Sequence, residues 1–287
     1  MQTKLEKLFS LIYRLNFRIR ESLGLPSTRG FLTIKETPFP KGLYHARQAQ
    51  IYFDRITANS TQTLLVQSGP FKGLNYTGIK AGGSAYYPKI LGCYEKEISH
   101  IFTEPNWIYD NFIDIGCGEG YYISGVKYLF PATKVYGFDV SKSAISEALR
   151  LAKVNCLEKD MEIHCKVFDF DILRSLKGRS LLMIDIEGGE LDFLLKLVAF
   201  AKLYHINLSE VDFLIELHPM YSIDSSQKAL DIIDTRIPQK RVNIIRSVPD
   251  FEKALFIKDK DLNILDASTR FLLLRERSMP TPWLHLT

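Results

Sequence analysis

The sequence predicts an α/β fold in which helices cover both faces of a mostly parallel sheet. Five apolar runs of strand length follow residue 111: FIDIG, KVYGFDV, HCKVFDF, SLLMIDI and DFLIELH, centred near residues 113, 137, 167, 183 and 214. Helical segments separate most of them, at residues 119–130, 141–157 and 189–204. Strands that are apolar throughout, and that alternate with helices, are typical of a parallel sheet buried on both faces.

Before the sheet, the chain predicts an extension of helices and a hairpin. The apolar and basic pattern of residues 1–23 predicts a basic amphipathic helix, which we expect to pack on the domain or on a second subunit of a homodimer. A peripheral contact with an anionic membrane is the alternative. A Gly- and Pro-rich linker follows at 24–43, then a helix at 44–58, two short strands within 63–78 and a helix at 89–102. We therefore divide the chain into an extension, 1–88, and a main domain, 89–287.

Beyond the fifth run, two further apolar segments predict the edge of the sheet. They are RVNIIRS, residues 241–247, and RFLLLRE, residues 270–276. No helix of good length separates them clearly, so we expect an antiparallel pair of strands there.

Composition and charge exclude several classes of protein. The 287 residues are 46% apolar and 24% charged, as in ordinary globular proteins. The net charge is +4, but residues 1–50 carry nine basic and three acidic residues, so the remainder is slightly acidic. This argues against nucleic acid as the partner. The four cysteines form no CxxC pair and predict reduced thiols in a cytosolic protein.

A glycine loop, FIDIGCGEGYY at 112–122, indicates a nucleoside cofactor. Its glycines are Gly116, Gly118 and Gly120, and Tyr121 stands where a dinucleotide-binding loop has its third glycine. Asp114 precedes the loop, and a carboxylate there suits an ammonium group better than a pyrophosphate. S-adenosylmethionine has an ammonium group, a sulfonium and no phosphate, so we predict that cofactor over a nicotinamide dinucleotide.

Acidic residues also end the next two predicted strands. Asp139 follows the second strand, where a carboxylate can accept hydrogen bonds from ribose hydroxyls. Asp169 follows the third, and we expect it near the adenine amino group with Phe168 or Phe170 against the ring. The alternative is that Asp114 and Asp139 are only turn or capping residues.

Four segments together resemble the class I S-adenosylmethionine-dependent methyltransferases, and most closely the FkbM-type branch. They are LGCYEKE at 91–97, DIGCGEG at 114–120, MIDIEGGE at 183–190 and IELHP at 215–219, within a resemblance spanning residues 89–276. The resemblance implies a Rossmann-like, doubly wound sheet of seven strands with the last reversed. It also implies O-methylation of a sugar or natural product. The predicted cofactor site comprises Glu95, Asp114, Gly116, Cys117, Gly118, Gly120, Asp139, Val140, Phe168, Asp169 and Asp185.

The ends of the fourth and fifth strands carry the candidate catalytic residues Asp185, Glu187, Glu216 and His218. Methyl transfer to oxygen requires an aligned hydroxyl and a route for its proton. His218 is the candidate base, although it could merely orient a loop. Asp185 or Glu187 could bind the hydroxyl, cap the next helix, or hold a metal with His218. We predict no metal, because the sequence shows no tight ligand spacing.

These observations predict a cytoplasmic methyltransferase that uses S-adenosylmethionine to methylate a hydroxyl of a sugar, a glycan or another small molecule. Two alternatives remain open: a nicotinamide-dependent oxidoreductase, which Tyr121 disfavours, and a catalytically silent cofactor-binding protein. The acidic residues at successive strand ends count against the second.

Overall fold

A computed structural model describes eight segments of the chain: residues 41–57, 64–76, 85–218, 223–237, 240–250, 252–257, 260–276 and 281–287. The predicted helix at 1–23 and most of the predicted linker lie outside them. No helix within these segments is long and apolar enough to cross a membrane.

Within the described segments, the main sheet has seven strands. They are β3 (Asn111–Ile115), β4 (Lys134–Asp139), β5 (Met161–Cys165), β6 (Ser180–Ile184), β7 (Val211–Glu216), β8 (Val242–Ile245) and β9 (Trp283–Leu286). Their order across the sheet is β5-β4-β3-β6-β7-β9-β8. The first five are parallel, and β9 runs antiparallel to both of its neighbours. The predicted fold class, with one reversed strand, is confirmed.

The central strands are mostly apolar because both faces of the sheet are covered. Every residue of β3, β6 and β7 is buried. Successive side chains point to opposite faces of a strand, so Phe112 packs into the apolar layer on one side and Ile113 into the layer on the other. The sheet therefore holds its carboxyl-end loops on a rigid base.

Helices connect the strands and cover the sheet. They are α1 (Lys41–Thr57), α2 (Tyr86–Leu91), α3 (Tyr121–Leu129), α4 (Lys142–Val154), α5 (Glu190–Leu203), α6 (Ile223–Arg236), α7 (Lys260–Ile264) and α8 (Ala267–Leu274). α3 follows β3 directly and α4 follows β4, so each begins at the carboxyl edge. Ser141 caps α4, its hydroxyl accepting the backbone N–H of Ala144 at 3.3 Å.

The described part of the predicted extension shares its core with the sheet. The short strands β1 (Leu64–Leu65) and β2 (Asn75–Tyr76) pair antiparallel, as predicted. Tyr52 and Phe71 lie in the same apolar layer as Phe112. A Cβ on Gly125 of α3 would lie 2.5 Å from the ring of Phe71, so the extension packs tightly there. The boundary at residue 88 stays a prediction.

The predicted helix at 89–102 is wrong beyond Leu91. Gly92 adopts φ 78° and donates its N–H to the carbonyl of Lys89, which ends α2. A Cβ there would lie 1.8 Å from the carbonyl oxygen of Ser68, so the chain can approach that closely only at a glycine. A short 3₁₀ turn, Lys96–Ile98, follows instead.

Two strand predictions also need correction. RFLLLRE is not a strand: most of it is the end of α8, which Asp266 caps, and Leu272, Leu273 and Leu274 are all buried there. Consecutive buried leucines at the end of a helix show the same continuous apolar run as a buried strand. The antiparallel partner is β9 instead. The third parallel strand, β5, ends at Cys165, so Asp169 lies beyond it and caps the 3₁₀ turn Phe170–Arg174.

Candidate active site

The glycine loop joins β3 to α3 and lies between neighbouring strands. Gly116, Gly118 and Gly120 all have positive φ, at 92°, 53° and 85°. The N–H groups of Gly116 and Cys117 donate to the carbonyl of Phe138, at 2.8 and 3.1 Å. A Cβ on Gly116 would lie 1.7 Å from the carbonyl oxygen of Asp185. Glycine is therefore required where the loop meets the end of β6.

Asp139, at the end of β4, fastens the loop from the other side. Its two carboxylate oxygens accept the backbone N–H groups of Gly118 at 3.0 Å and Ser141 at 2.7 Å. The carboxylate thus lies between the glycine loop and the start of α4. This is the position expected for a group that contacts a ribose.

Asp114 lies beneath the loop in acidic surroundings. It is 3% exposed. Burial, together with the charges of Asp185, Glu95 and Asp139, raises the pKa of Asp114 well above its ordinary value. Glu95 is 1% exposed and accepts a hydrogen bond from the hydroxyl of Tyr122. The predicted cofactor residues from three separate segments therefore converge.

A buried ion pair beside the loop was not predicted. Lys89 and Glu119 are each 4% exposed and form a salt bridge, and the hydroxyl of Tyr76 donates to Glu119 at 2.7 Å. Burial opposes ionisation, but Lys89 and Tyr76 hold the pKa of Glu119 below its ordinary value. Only an apolar stretch interrupted by one lysine, YYPKIL, hinted at Lys89 in the sequence. Because Lys89 is paired, its charge is already balanced by Glu119.

The remaining predicted cofactor residues have mixed surroundings. Cys117 is buried in the loop, and Val140 is 70% exposed directly after Asp139. Phe168 is buried against Phe138, with ring centroids 5.1 Å apart. Asp169 is paired with Lys166 at 3.1 Å on the surface. Their contact with a cofactor stays a prediction.

His218 lies at the centre of the predicted catalytic group. It follows β7 and is 8% exposed. Its Nε2 lies 3.5 Å from Asp185 Oδ1, 3.5 Å from Glu216 Oε2 and 4.0 Å from Glu187 Oε2. All four residues singled out at the ends of the fourth and fifth strands are therefore close together.

Glu190 is a further member of this group that the sequence reasoning did not single out. It is the first residue of α5, and its Oε1 accepts from Gly188 N at 2.9 Å and lies 2.7 Å from His218 Nδ1. Burial acts against ionisation, but these hydrogen bonds hold the pKa of Glu190 below its ordinary value. Its place in MIDIEGGE, just after the fourth strand, was the available signal.

The charges of the group are strongly coupled. Burial and the carboxylates of Glu216 and Glu95 raise the pKa of Asp185 well above its ordinary value. For His218, burial alone would lower the pKa, but Glu190 and Asp185 raise it above 6.5. This edge of the sheet therefore has an excess of carboxylates and stabilises positive charge.

A family model described as a methyltransferase domain matches residues 109–175 of the chain. The matched segment includes β3, the glycine loop, β4 and β5. The match supports S-adenosylmethionine as the cofactor and methyl transfer as the class of reaction. Among curated proteins, none matches the chain.

Many solved structures are similar to this chain, and three of them serve as examples. A precorrin-6y C5,15-methyltransferase from Geobacter metallireducens GS-15 is 12% identical, covers 68% of this chain and 86% of its own, and has a TM-score of 0.45. The N-terminal domain of human METTL16 in complex with SAH is 14% identical, covers 67% of this chain and 66% of its own, and has a TM-score of 0.38. A putative rRNA-methylase from Clostridium thermocellum is 11% identical, covers 61% of this chain and 85% of its own, and has a TM-score of 0.38.

Proposed function

We propose that this chain is an S-adenosylmethionine-dependent methyltransferase of the FkbM type that methylates a hydroxyl group of a sugar, a glycan or another small molecule. One observation carries the proposal. The carboxyl edge of the sheet gathers buried carboxylates around a glycine loop, and the match to a methyltransferase domain covers that loop. The FkbM assignment rests on the four sequence motifs.

The residues present fit this cofactor by charge. Asp114, Asp185 and Glu95 interact closely and lie next to the loop. The nearby Lys89 is paired with Glu119, so it does not neutralise them. When bound, S-adenosylmethionine supplies an ammonium group, a sulfonium and an electrophilic methyl group. We propose that these carboxylates together attract its positive groups, with Asp114 and Glu95 in direct contact, and that Asp139 holds the ribose hydroxyls.

The cluster of residues around His218, next to the glycine loop, suits an oxygen acceptor best. An alcohol keeps its proton at neutral pH, so methyl transfer to it needs a group that takes the proton. His218, Glu187 and Asp185 converge at the ends of β6 and β7, next to the loop. We propose that an acceptor hydroxyl lies between this group and the cofactor, and that its proton passes to the group during transfer.

The test is acceptor-dependent formation of S-adenosylhomocysteine, measured by mass spectrometry with a panel of sugars and glycosides. We expect turnover with an acceptor that carries a free hydroxyl, and none with the deoxy analogue of the same acceptor. Asp114→Asn should lose cofactor binding in calorimetry, whereas Asp171→Asn, an exposed acid paired with Arg174, should not. Binding of NADH in place of S-adenosylmethionine would contradict the proposal. Methylation of amines alone would contradict the choice of acceptor.

A further inference from the structure

We propose that Asp185, Glu216 and His218 bind a divalent transition-metal cation. One ligand atom from each of these residues lies within 4.8 Å of the others. The sequence predicted no metal because it shows no tight ligand spacing. In the fold, Ile184 of β6 pairs with Ile215 of β7 in parallel register, so Asp185 and Glu216 follow side by side.

The geometry around His218 favours a metal ligand over a simple hydrogen bond. Nε2 lies 3.5 Å from both Asp185 Oδ1 and Glu216 Oε2. A charge-assisted hydrogen bond would be about 2.7–2.9 Å long. In contrast, two ligands that are each about 2.1 Å from one tetrahedral ion lie about 3.4 Å apart. The distance of Nε2 from each carboxylate oxygen therefore matches that between two ligands of a shared cation.

The other nitrogen of His218 has the partner that metal-binding histidines usually have. Nδ1 lies 2.7 Å from Glu190 Oε1, so we assign its proton to that hydrogen bond. The lone pair of Nε2 then points towards the two carboxylates. A ligating histidine typically donates its other N–H to a carboxylate in this way.

Asp185 independently indicates a missing positive partner. Its Oδ1 is buried and has no hydrogen-bond partner in the described part of the chain. It lies beside Glu216, which is 3% exposed, and like charges so close repel each other. The other oxygen of Glu216 accepts from the hydroxyl of the buried Thr281, which orients the carboxylate. A cation between Asp185 and Glu216 would relieve both the repulsion and the unsatisfied oxygen.

The ligand set also indicates which cation would bind. Carboxylates alone would suit Mg²⁺, Ca²⁺ or Mn²⁺, whereas imidazole favours Fe²⁺, Ni²⁺, Cu²⁺ or Zn²⁺. We therefore expect Zn²⁺ to bind more tightly than Mn²⁺ or Mg²⁺.

The consequence for chemistry rests on the proposed function. A hydroxyl next to the cation would lose its proton more easily. Glu187, whose side chain is 66% exposed and whose Oε2 is 4.0 Å from Nε2, would take that proton, since Nε2 would be occupied. The acceptor oxygen then forms its bond to the methyl carbon as the carbon–sulfur bond breaks, and sulfur keeps the electron pair.

The test is calorimetric titration of the chelator-treated full chain with MnCl₂ or ZnCl₂, without cofactor or acceptor. We expect one site, with affinity reduced at least tenfold in Asp185→Asn, Glu216→Gln and His218→Ala. Glu190→Gln, which removes a charge but retains the side-chain shape, should weaken binding by about 10–100-fold. Circular dichroism would show that each variant is folded.

The matched control is a second histidine–carboxylate pair on the surface, His164 and Glu162, whose Nε2 and Oε2 atoms are 3.4 Å apart. Glu162→Gln should leave metal binding unchanged. Absence of binding, or equal binding by folded Asp185→Asn, would overturn the proposal. Metal binding without methyl transfer would refute only the proposed function. Methyl transfer that is insensitive to chelator, without metal binding, would refute only the metal site.

Discussion

At the residue scale, two glutamates at the site adopt a backbone conformation that favours glycine. Glu95 has φ 44° and Glu187 has φ 52°. Such residues cost about 1–3 kcal/mol and persist where the surroundings hold them. The backbone N–H of Glu95 donates to Glu276 at 3.1 Å, and its side chain accepts from Tyr122. These contacts hold Glu95 in its strained conformation.

Asp139 offers the first test at this scale. Replacing it with alanine removes the acceptor of the Gly118 and Ser141 N–H groups and the predicted partner of the ribose hydroxyls. We expect Asp139→Ala to weaken cofactor binding by about 1–3 kcal/mol, the usual cost of leaving polar groups unpaired. Calorimetry with S-adenosylhomocysteine measures this. Equal affinity of the variant and the unmodified chain for S-adenosylhomocysteine would show that Asp139 does not contribute to the cofactor site.

His218 offers the second test. We expect His218→Ala to retain cofactor affinity but to lower turnover by a factor of about 10²–10⁴, the range for losing an acid–base group. We expect His218→Ala to lower turnover also if His218 is a metal ligand. Glu187→Gln should reduce turnover or acceptor binding without unfolding the protein, because its side chain is largely exposed. Full activity of His218→Ala in a steady-state assay would show that the imidazole takes no part.

At the element scale, the site depends on how closely the glycine loop approaches the end of β6. Gly116 bonds to Phe138 of β4, while the N–H of Asp185 donates to the carbonyl of Ile115 at 2.9 Å. The loop therefore connects three neighbouring strands. A side chain at Gly116 would separate the loop from β6 and disturb Asp114 and Asp185 together.

Gly116→Ala tests this dependence. The new Cβ would clash with the carbonyl oxygen of Asp185, and alanine would be strained at φ 92°. We expect the free energy of unfolding to fall by at least about 1–3 kcal/mol, measured by denaturant titration. Gly189→Ala is the control, because φ there is −90° and the nearest contact is the flexible end of Ile186 at 3.2 Å. Equal effects of the two changes would argue against a special role for Gly116.

At the scale of the whole molecule, a buried ionic network lies at the opposite end of the sheet. Asp212 of β7 is fully buried and accepts hydrogen bonds from Lys240 at 2.8 Å, Arg179 at 2.8 Å and Tyr109 at 2.9 Å. Burial alone would raise the pKa of Asp212, but these donors hold it below its ordinary value. The network links segments preceding β3 and β6 to the segment preceding β8.

Asp212→Asn tests the network through its pH dependence. A carboxyl whose pKa is lower in the folded state than in the unfolded state stabilises the protein. This stabilisation is fully present at pH values above the unfolded-state pKa, about 3.9 for aspartate. That stabilisation disappears as the pH falls through the folded value. We expect Asp212→Asn to lower the free energy of unfolding by about 3–5 kcal/mol at pH 7, because Lys240 would remain buried without its counter-ion. The difference from the unmodified chain should shrink as the pH falls below about 4.

The surface pair Asp192 and Lys196 provides the control for this prediction. The two side chains are 70% and 63% exposed, and solvent screens their interaction. Asp192→Asn should therefore change the free energy of unfolding by less than about 1 kcal/mol in denaturant titrations. A pH-independent effect of Asp212→Asn would show that packing, rather than charge, stabilises this region.

Comparison of the sequence with the fold shows which features were local. The glycine loop, the acidic ends of β3 and β4, and the helices between strands were predicted from short patterns, because turn chemistry and hydrophobic periodicity act over a few residues. The errors fell where local patterns are ambiguous. The buried end of helix α8 resembled a strand, and Gly92 ended a helix that periodicity would have continued.

By itself, the sequence determined the α/β class, the order of its elements up to β7 and the acidic loop that favours S-adenosylmethionine, since these depend on neighbouring residues. Only the tertiary structure decided which distant groups meet. The parallel register of β6 and β7 brings Asp185 to Glu216 and His218, and the start of α5 brings Glu190 to the imidazole. Likewise, the strand that pairs with β7 is β9, near the end of the chain. Pairing between segments tens of residues apart is set by packing and register across the whole sheet, and no local pattern encodes it.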